Sequence, residues 1–246
     1  RHGGIFLRSG DFESLRGFLA GATLAEIAKT SPTLSFSATT CSACSSGLAA
    51  VALGRTLLAN DELDIVITGG YDPISEYAYS GFNSMRLVSP ARQRPFAEDR
   101  DGMKVSEGYA VVVLEREMHT LARGRRPLAR LVGIGESCDS FHLSKPHPEG
   151  SGAARAINQA IHDAGVYPSD VGFVIAHGTA TPDNDAAEHA ALKQVFADRV
   201  STVPLMATKS HLGHTLGAAG AVDLVLATLA LRSGTLAPCA NMHADD

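Results

Sequence analysis

Three short motifs hold residues whose types could do chemistry together. They are Ser42-Ala43-Cys44-Ser45-Ser46-Gly47, His177-Gly178-Thr179-Ala180-Thr181-Pro182 and Lys209-Ser210-His211-Leu212-Gly213-His214. One thiol with two separate, glycine-flanked histidines suits carbon–carbon bond formation on thioesters. The thiol can hold one acyl group while the imidazoles stabilise negative charge on the other.

The elements around these residues must place them. Thr33 to Ser37 alternates like a short strand and runs into the Cys44 motif, and helical spacing begins at Ser45. A thiol at a helix start meets unpaired N–H groups and partial positive charge, which favour the reactive thiolate. His177 follows Val171 to Ala176, an apolar strand, and strand C-termini in α/β sheets are where ligands gather. His214 lies between Gly213 and the run Gly217-Ala218-Ala219-Gly220, small enough for close approach of backbone or substrate. Lys209 precedes an apolar helix holding Asp223, the nearest carboxylate in sequence that could pair with a buried ammonium.

Each residue also has a plainer reading. Cys44 could be a small apolar core residue, and Cys41-Ser42-Ala43-Cys44 is also the spacing of a redox dithiol. Zinc fits less well, because Cys138 and Cys239 form no second pair. His177 could merely hydrogen-bond a loop, and Lys209 could be solvated. His211 reads as a surface or loop residue. His2, His119, His142, His147, His162, His189 and His243 have no comparable setting, although His142 with Asp139 could line a cleft.

Strand and helix alternate along the rest of the chain, so the class is α/β. Further strands are expected at Leu63 to Thr68, Tyr109 to Leu114, Leu128 to Gly135 and Val203 to Ala207. Helices are expected at Ser45 to Asn60, Glu115 to Arg123, Ser151 to Ala164, Ala186 to Phe196 and Leu216 to Arg232. The β-branched runs suit a sheet covered on both faces. Gly124 to Pro127 is the best boundary, dividing residues 1–125 from 126–246.

With 246 residues, 45% of them hydrophobic, the chain can bury a large core. A net charge of −5 gives no signature for binding nucleic acid. Four cysteines do not make a disulfide framework in a chain this long, no apolar run is expected to span a membrane, and no signal peptide is evident. A reduced, cytoplasmic protein is expected. The start at Arg1, without Met, and the end at Asp246 read as those of a fragment.

Taken together, the motifs resemble the β-ketoacyl-acyl carrier protein synthases of fatty acid and polyketide synthesis, most closely the elongating type. Pro95-Phe96-Ala97-Glu98-Asp99-Arg100-Asp101-Gly102 adds to the likeness, as do Asp185 and Glu188 after the His177 motif. The resemblance implies a thiolase-like fold of two similar α/β halves in αβαβα layers, present here in part, with dimerisation through Leu34 to Ser37. It implies that Cys44 takes an acyl group from acyl carrier protein, and that His177 and His214 bind the malonyl thioester carbonyl during decarboxylation. Lys209 joins the catalytic set, Asp223 and Glu188 support it, and Thr179, Thr181 and Met103 contact substrate. No metal or resident cofactor is implied, since phosphopantetheine arrives on the carrier. Carrier protein and a related ketosynthase, as homodimer or heterodimer, are the implied partners. A chain-length-factor-like subunit is the alternative, and Cys44 argues against it. Asp223 stands in place of the family's usual glutamate, Asn184 replaces a common glycine, and Ser106 interrupts a usual glycine run.

Overall fold

The computed structural model describes residues 19, 21–31 and 33–242; His2 and His243 lie outside them. The elements are α1 (Ala22–Thr30), α2 (Ser46–Ala59), β1 (Ile65–Asp72), α3 (Glu76–Ser84), β2 (Gly108–Glu115), α4 (Glu117–Ala122), α5 (Ser151–Ala164), β3 (Val174–Ile175), α6 (Pro182–Phe196), β4 (Leu205–Met206), α7 (Lys209–Leu212) and α8 (Ala219–Ser233). Short 3-10 turns, Ala43–Ser45 and Leu216–Ala218, lead into α2 and α8.

β1 and β2 pair antiparallel over their whole length, from Ile65 opposite Glu115 to Asp72 opposite Gly108. One face of this ribbon packs on α2 and α8. The apolar stripe of α2, Gly47, Val51, Gly54 and Leu58, recurs every three or four residues and so faces one way. Gly70 marks where β1, α2 and the second 3-10 turn converge. A Cβ there would stand 2.6 Å from the Gly217 carbonyl oxygen and 3.2 Å from the Gly47 Cα.

The other core lies in the second half of the chain. Ala154, Ala191, Leu192, Val195 and Phe196 join α5 to α6, and Val174 and Leu205 from the short parallel pair β3–β4 pack against them. α5 occupies the predicted residues and is bounded by Gly150 and Gly165, both in the left-handed region at φ 66°. α6 starts four residues earlier than its apolar pattern suggests, because Pro182 supplies a preset first turn.

Several expectations are corrected. Residues 34–42 form no ladder among the described residues, and Leu34 and Phe36 are exposed, because a lone strand needs a partner to hydrogen-bond. The stretch 128–135 is likewise no strand: Ile134 N–H donates to Asp163 at 2.9 Å and the Arg55 guanidinium to the Val132 carbonyl at 3.3 Å. The β1–β2 ribbon is covered on one face only among the described residues. Ile65, Ile67, Tyr109, Val111 and Val113 are exposed on the other. The helix α3 was not anticipated, although Ser75 caps it by accepting from Ala78 N–H. Finally, the 18-residue helical run Leu216–Ser233, with mean hydropathy 1.5, is long and apolar enough to cross a membrane. It instead packs on β1, β2 and α2, and carries the paired Asp223.

Candidate active site

The 3-10 turn Ala43–Ser45 presents Cys44 at the head of α2. Ala43 takes φ 51°, a left-handed conformation that costs a residue with a Cβ about 1–3 kcal/mol. The turn is tied by serines: Ser42 N–H donates to Ser46 Oγ at 2.9 Å, and Ser46 Oγ donates to the Ala43 carbonyl at 2.7 Å.

Cys44 Sγ lies 3.1 Å from His214 Nε2, and the His177 and His214 rings meet edge to face with centroids 5.2 Å apart. Histidines 133 and 170 positions from Cys44 in sequence are thereby brought beside its thiol. The His214 tautomer follows from its other nitrogen. Leu216 N–H donates to Nδ1 at 3.2 Å, so in the neutral ring the proton sits on Nε2 and points at the sulfur. That ring nitrogen is a donor to whatever negative charge develops beside Cys44.

Lys209 is 2% exposed, and its Nζ lies 3.2 Å from Asp223 Oδ2. The other oxygen of Asp223 accepts from the Thr208 hydroxyl. The pair expected from sequence thus forms directly, and the Thr208 hydroxyl holds the second oxygen of the shorter aspartate. Burial, with the Lys209 charge second, lowers the His214 pKa to about 3. Burial, Lys209 and His214, in that order, hold His177 well below the usual imidazole value. Both rings are therefore neutral donors or acceptors near pH 7.

The thiol departs from expectation. A helix start favours thiolate, but burial dominates and pushes the Cys44 pKa up; Lys209 and the cysteine's own backbone N–H oppose this, and Asp72 adds to it. Loss of water outweighs the helix end because the turn folds Cys44 inward against His214.

Glu188 fixes the second motif. Its two oxygens accept the consecutive N–H groups of His177 and Gly178, at 2.6 and 2.8 Å. Asp185, 1% exposed, accepts from Phe96 N–H at 2.7 Å and Ala180 N–H at 3.1 Å. Phe96 and Ala180 are both left-handed, at φ 64° and 63°, so this carboxylate holds two strained turns against each other. Burial raises the pKa values of both Asp185 and Glu188.

Thr179 and Thr181 are buried and their hydroxyls bond each other at 2.9 Å. Met103 is 2% exposed and joined to Leu87 and Ser89 by backbone hydrogen bonds, so, like Thr179 and Thr181, it has little open surface in this structure. Sequence reasoning passed over Gln93, which is 3% exposed. Its amide donates to the Thr179 carbonyl at 2.9 Å and accepts from Lys104 N–H at 3.0 Å. Asn241 in turn donates to the Gln93 and Ser210 carbonyls. No motif marks either residue. His211 is held by the Pro238 carbonyl at 2.7 Å. Cys41 and Cys138 are exposed, and all four cysteines are free thiols.

The ligand atoms of Cys44, His177 and His214 lie within 4.8 Å of one another, a spacing that a metal ion could use. The donor set argues against it. Nε2 of His214 carries the proton, leaving no lone pair toward the thiol, and the Lys209 cation lies close enough to depress both imidazoles.

Two sequence profiles match, "Beta-ketoacyl synthase, N-terminal domain" over residues 33–119 and "Beta-ketoacyl synthase, C-terminal domain" over residues 128–243. The chain belongs to the β-ketoacyl synthase family. The 3-oxoacyl-[acyl-carrier-protein] synthase 2 of Staphylococcus aureus is 36% identical over 205 residues, 81% of this chain and 51% of that protein. The chain thus spans about half the length of the curated relatives it matches. A solved β-ketoacyl synthase from Burkholderia phymatum STM815 superposes with a TM-score of 0.91 at 31% identity, covering 99% of this chain and 61% of that one. The ishigamide ketosynthase/chain length factor gives 0.89 at 36% identity, covering 98% and 60%. A ketosynthase solved with its chain length factor from Xenorhabdus doucetiae gives 0.81 at 34%, covering 90% and 53%. The fold is accordingly thiolase-like and α/β.

Proposed function

We propose that this chain carries the condensing site of a β-ketoacyl synthase that elongates fatty acid or polyketide chains. The observation that carries the reading is the Nε2–H of a neutral His214 aimed at Cys44 Sγ from 3.1 Å, with His177 beside it. Cys44 sulfur attacks the thioester carbonyl of an acyl carrier protein; the new C–S bond forms and the carrier's thiol leaves with a proton. A malonyl thioester then takes the carrier's place. Its bond to the carboxylate breaks, carbon dioxide leaves, and the electron pair moves onto the thioester oxygen as an enolate. Two neutral N–H donors suit that oxygen, and one such donor is worth about 2.7–4 kcal/mol. The enolate carbon attacks the acyl group on Cys44, the β-ketoacyl product leaves on its carrier, and Cys44 is restored as thiolate.

Burial, with the Lys209 charge second, keeps both imidazoles neutral, Asp223 pairs with Lys209, and Glu188 orients the His177 backbone. Thr179 and Thr181 would face the phosphopantetheine arm, which comes with the carrier, so no resident cofactor or metal is required. The protein would work in the cytoplasm, its two halves meeting near residues 125 and 126. It would dimerise with a copy of itself or a related ketosynthase, a reading supported by the Xenorhabdus doucetiae ketosynthase solved in complex with its chain length factor.

The test separates the two half-reactions. In His177→Ala and His214→Ala, carbon dioxide release from malonyl-acyl carrier protein should fall about 100-fold or more while acylation of Cys44 persists. Wild-type decarboxylation in both variants would refute the assignment.

A further inference from the structure

The site depends on the His214 ring presenting Nε2–H, and that is set by one bond, from Leu216 N–H to Nδ1. The turn that supplies this N–H is strained. Leu216 has φ 51°, which a leucine adopts only where its surroundings force it, and it is 7% exposed. Its local support is short-range, Ala218 N–H to the Thr215 carbonyl at 3.0 Å and Ala219 N–H to the carbonyl of Leu216 itself.

The remaining support comes from the other half of the molecule. Asp72, the last residue of β1, accepts Gly217 N–H through Oδ2 at 2.9 Å. Gly217 is packed so closely there that a Cβ would stand 3.1 Å from the same carboxylate oxygen. Asp72 is itself fixed by the ribbon, opposite Gly108, where a Cβ would stand 3.0 Å from the Thr215 side chain. The turn on which His214 relies is therefore gripped from outside its own segment, by a strand end that follows the Cys44 helix.

We propose that Asp72 is a positioning residue, which holds the Leu216–Gly217 turn in its left-handed form and so fixes the tautomer and aim of His214 against Cys44. The role needs an acceptor at that point and not the charge itself. An asparagine can present its amide oxygen to Gly217 N–H, an alanine presents nothing, and a serine hydroxyl stops short of it. Without the grip, Leu216 relaxes toward ordinary helical backbone, its N–H leaves Nδ1, and the ring proton is free to sit on either nitrogen. The inference rests on His214 acting as a donor in the proposed condensation.

The experiment reads the tautomer and the chemistry separately. Protein labelled with nitrogen-15 histidine would be examined by long-range nitrogen–proton NMR, with the His214 signals assigned by their loss in His214→Gln. The wild type should show a single Nε2–H form. Asp72→Ala should show a mixture, with malonyl decarboxylation down about 10- to 100-fold, the scale of a small misplacement of a reacting group. Asp72→Asn should restore both. If Asp72→Ala does not fold, Asp72→Ser is read in the same way. A single Nε2–H form in the alanine or serine variant overturns the proposal whatever the rate. A mixed tautomer with an undiminished rate upholds the grip and counts instead against the role given to His214.

Discussion

Removing Asp223 tests whether the buried cation is held as the geometry implies. Lys209 is 2% exposed and its partner's side chain 18% exposed, so Asp223→Ala leaves an ammonium with almost no water to replace the lost oxygen at 3.2 Å. Breaking a buried pair from one side costs about 3–5 kcal/mol, and the partial exposure of Asp223 favours the lower end, about 3. Thr208 loses its acceptor as well, adding about 1 kcal/mol. The sum is about 4 kcal/mol. With a urea slope of about 2–3 kcal/mol per molar, the midpoint should fall by about 1.5 M. Asp223→Glu restores the charge with one more methylene in a packed place and should cost less than about 1.5 kcal/mol. Equilibrium urea unfolding followed by circular dichroism, at matched protein concentration, gives both numbers. A midpoint in Asp223→Ala within error of wild type would mean that Lys209 does not depend on this carboxylate, and the supporting role given to Asp223 would fail with it.

Three further outcomes are expected. Because burial pushes the Cys44 thiol up from its ordinary value, iodoacetamide labelling at Cys44, mapped by mass spectrometry, should keep climbing as the solution is made alkaline; a plateau near pH 7 would contradict this. Because the His214 pKa is lowered to about 3, its neutral form persists as acid is added and is lost only near that value. Carbon dioxide release should then show no inflection at the ordinary imidazole value of 6.5, and one found there and abolished in His214→Gln would sink the assignment. Glu188→Ala strands the N–H groups of His177 and Gly178 at about 1–3 kcal/mol each, so both urea midpoint and decarboxylation should drop, with Glu188→Gln intermediate because its amide keeps one acceptor; an unchanged midpoint in the alanine variant would show that the loop is held by other bonds.

The sequence made the reacting groups legible because each sits in a dense local motif, and it made α5 legible because Ala154, Ile157 and Ile161 keep helical spacing between two glycines. It misjudged what depends on distant partners. Leu34 to Ser37 and Leu128 to Gly135 have strand-like residues, but a ladder requires a second backbone, and neither stretch finds one among the described residues. The raised Cys44 pKa was hidden for a related reason, since helix position is local whereas burial depends on β1 and the turn before α8. Gln93, Asn241 and Asp72 are single polar residues in unremarkable stretches. Their importance lies in backbone groups 86, 148 and 145 positions away, and no spacing rule reaches that far.

Four residues with side chains larger than glycine, Ala43, Phe96, Ala180 and Leu216, hold left-handed backbone in the loops that carry or brace Cys44, His177 and His214. At about 1–3 kcal/mol each, the loops together sit well above the relaxed energy of their own chain segments. The α5–α6 core carries less of this load, its one left-handed non-glycine residue being Ala197 at the end of α6, and its melting need not coincide with theirs. Warming or mild denaturant should open the catalytic loops as a local event beneath the global transition. Inactivation would then run ahead of melting, and amide exchange at Ala43, Ala180 and Leu216 would report the working lifetime of the protein better than its melting temperature.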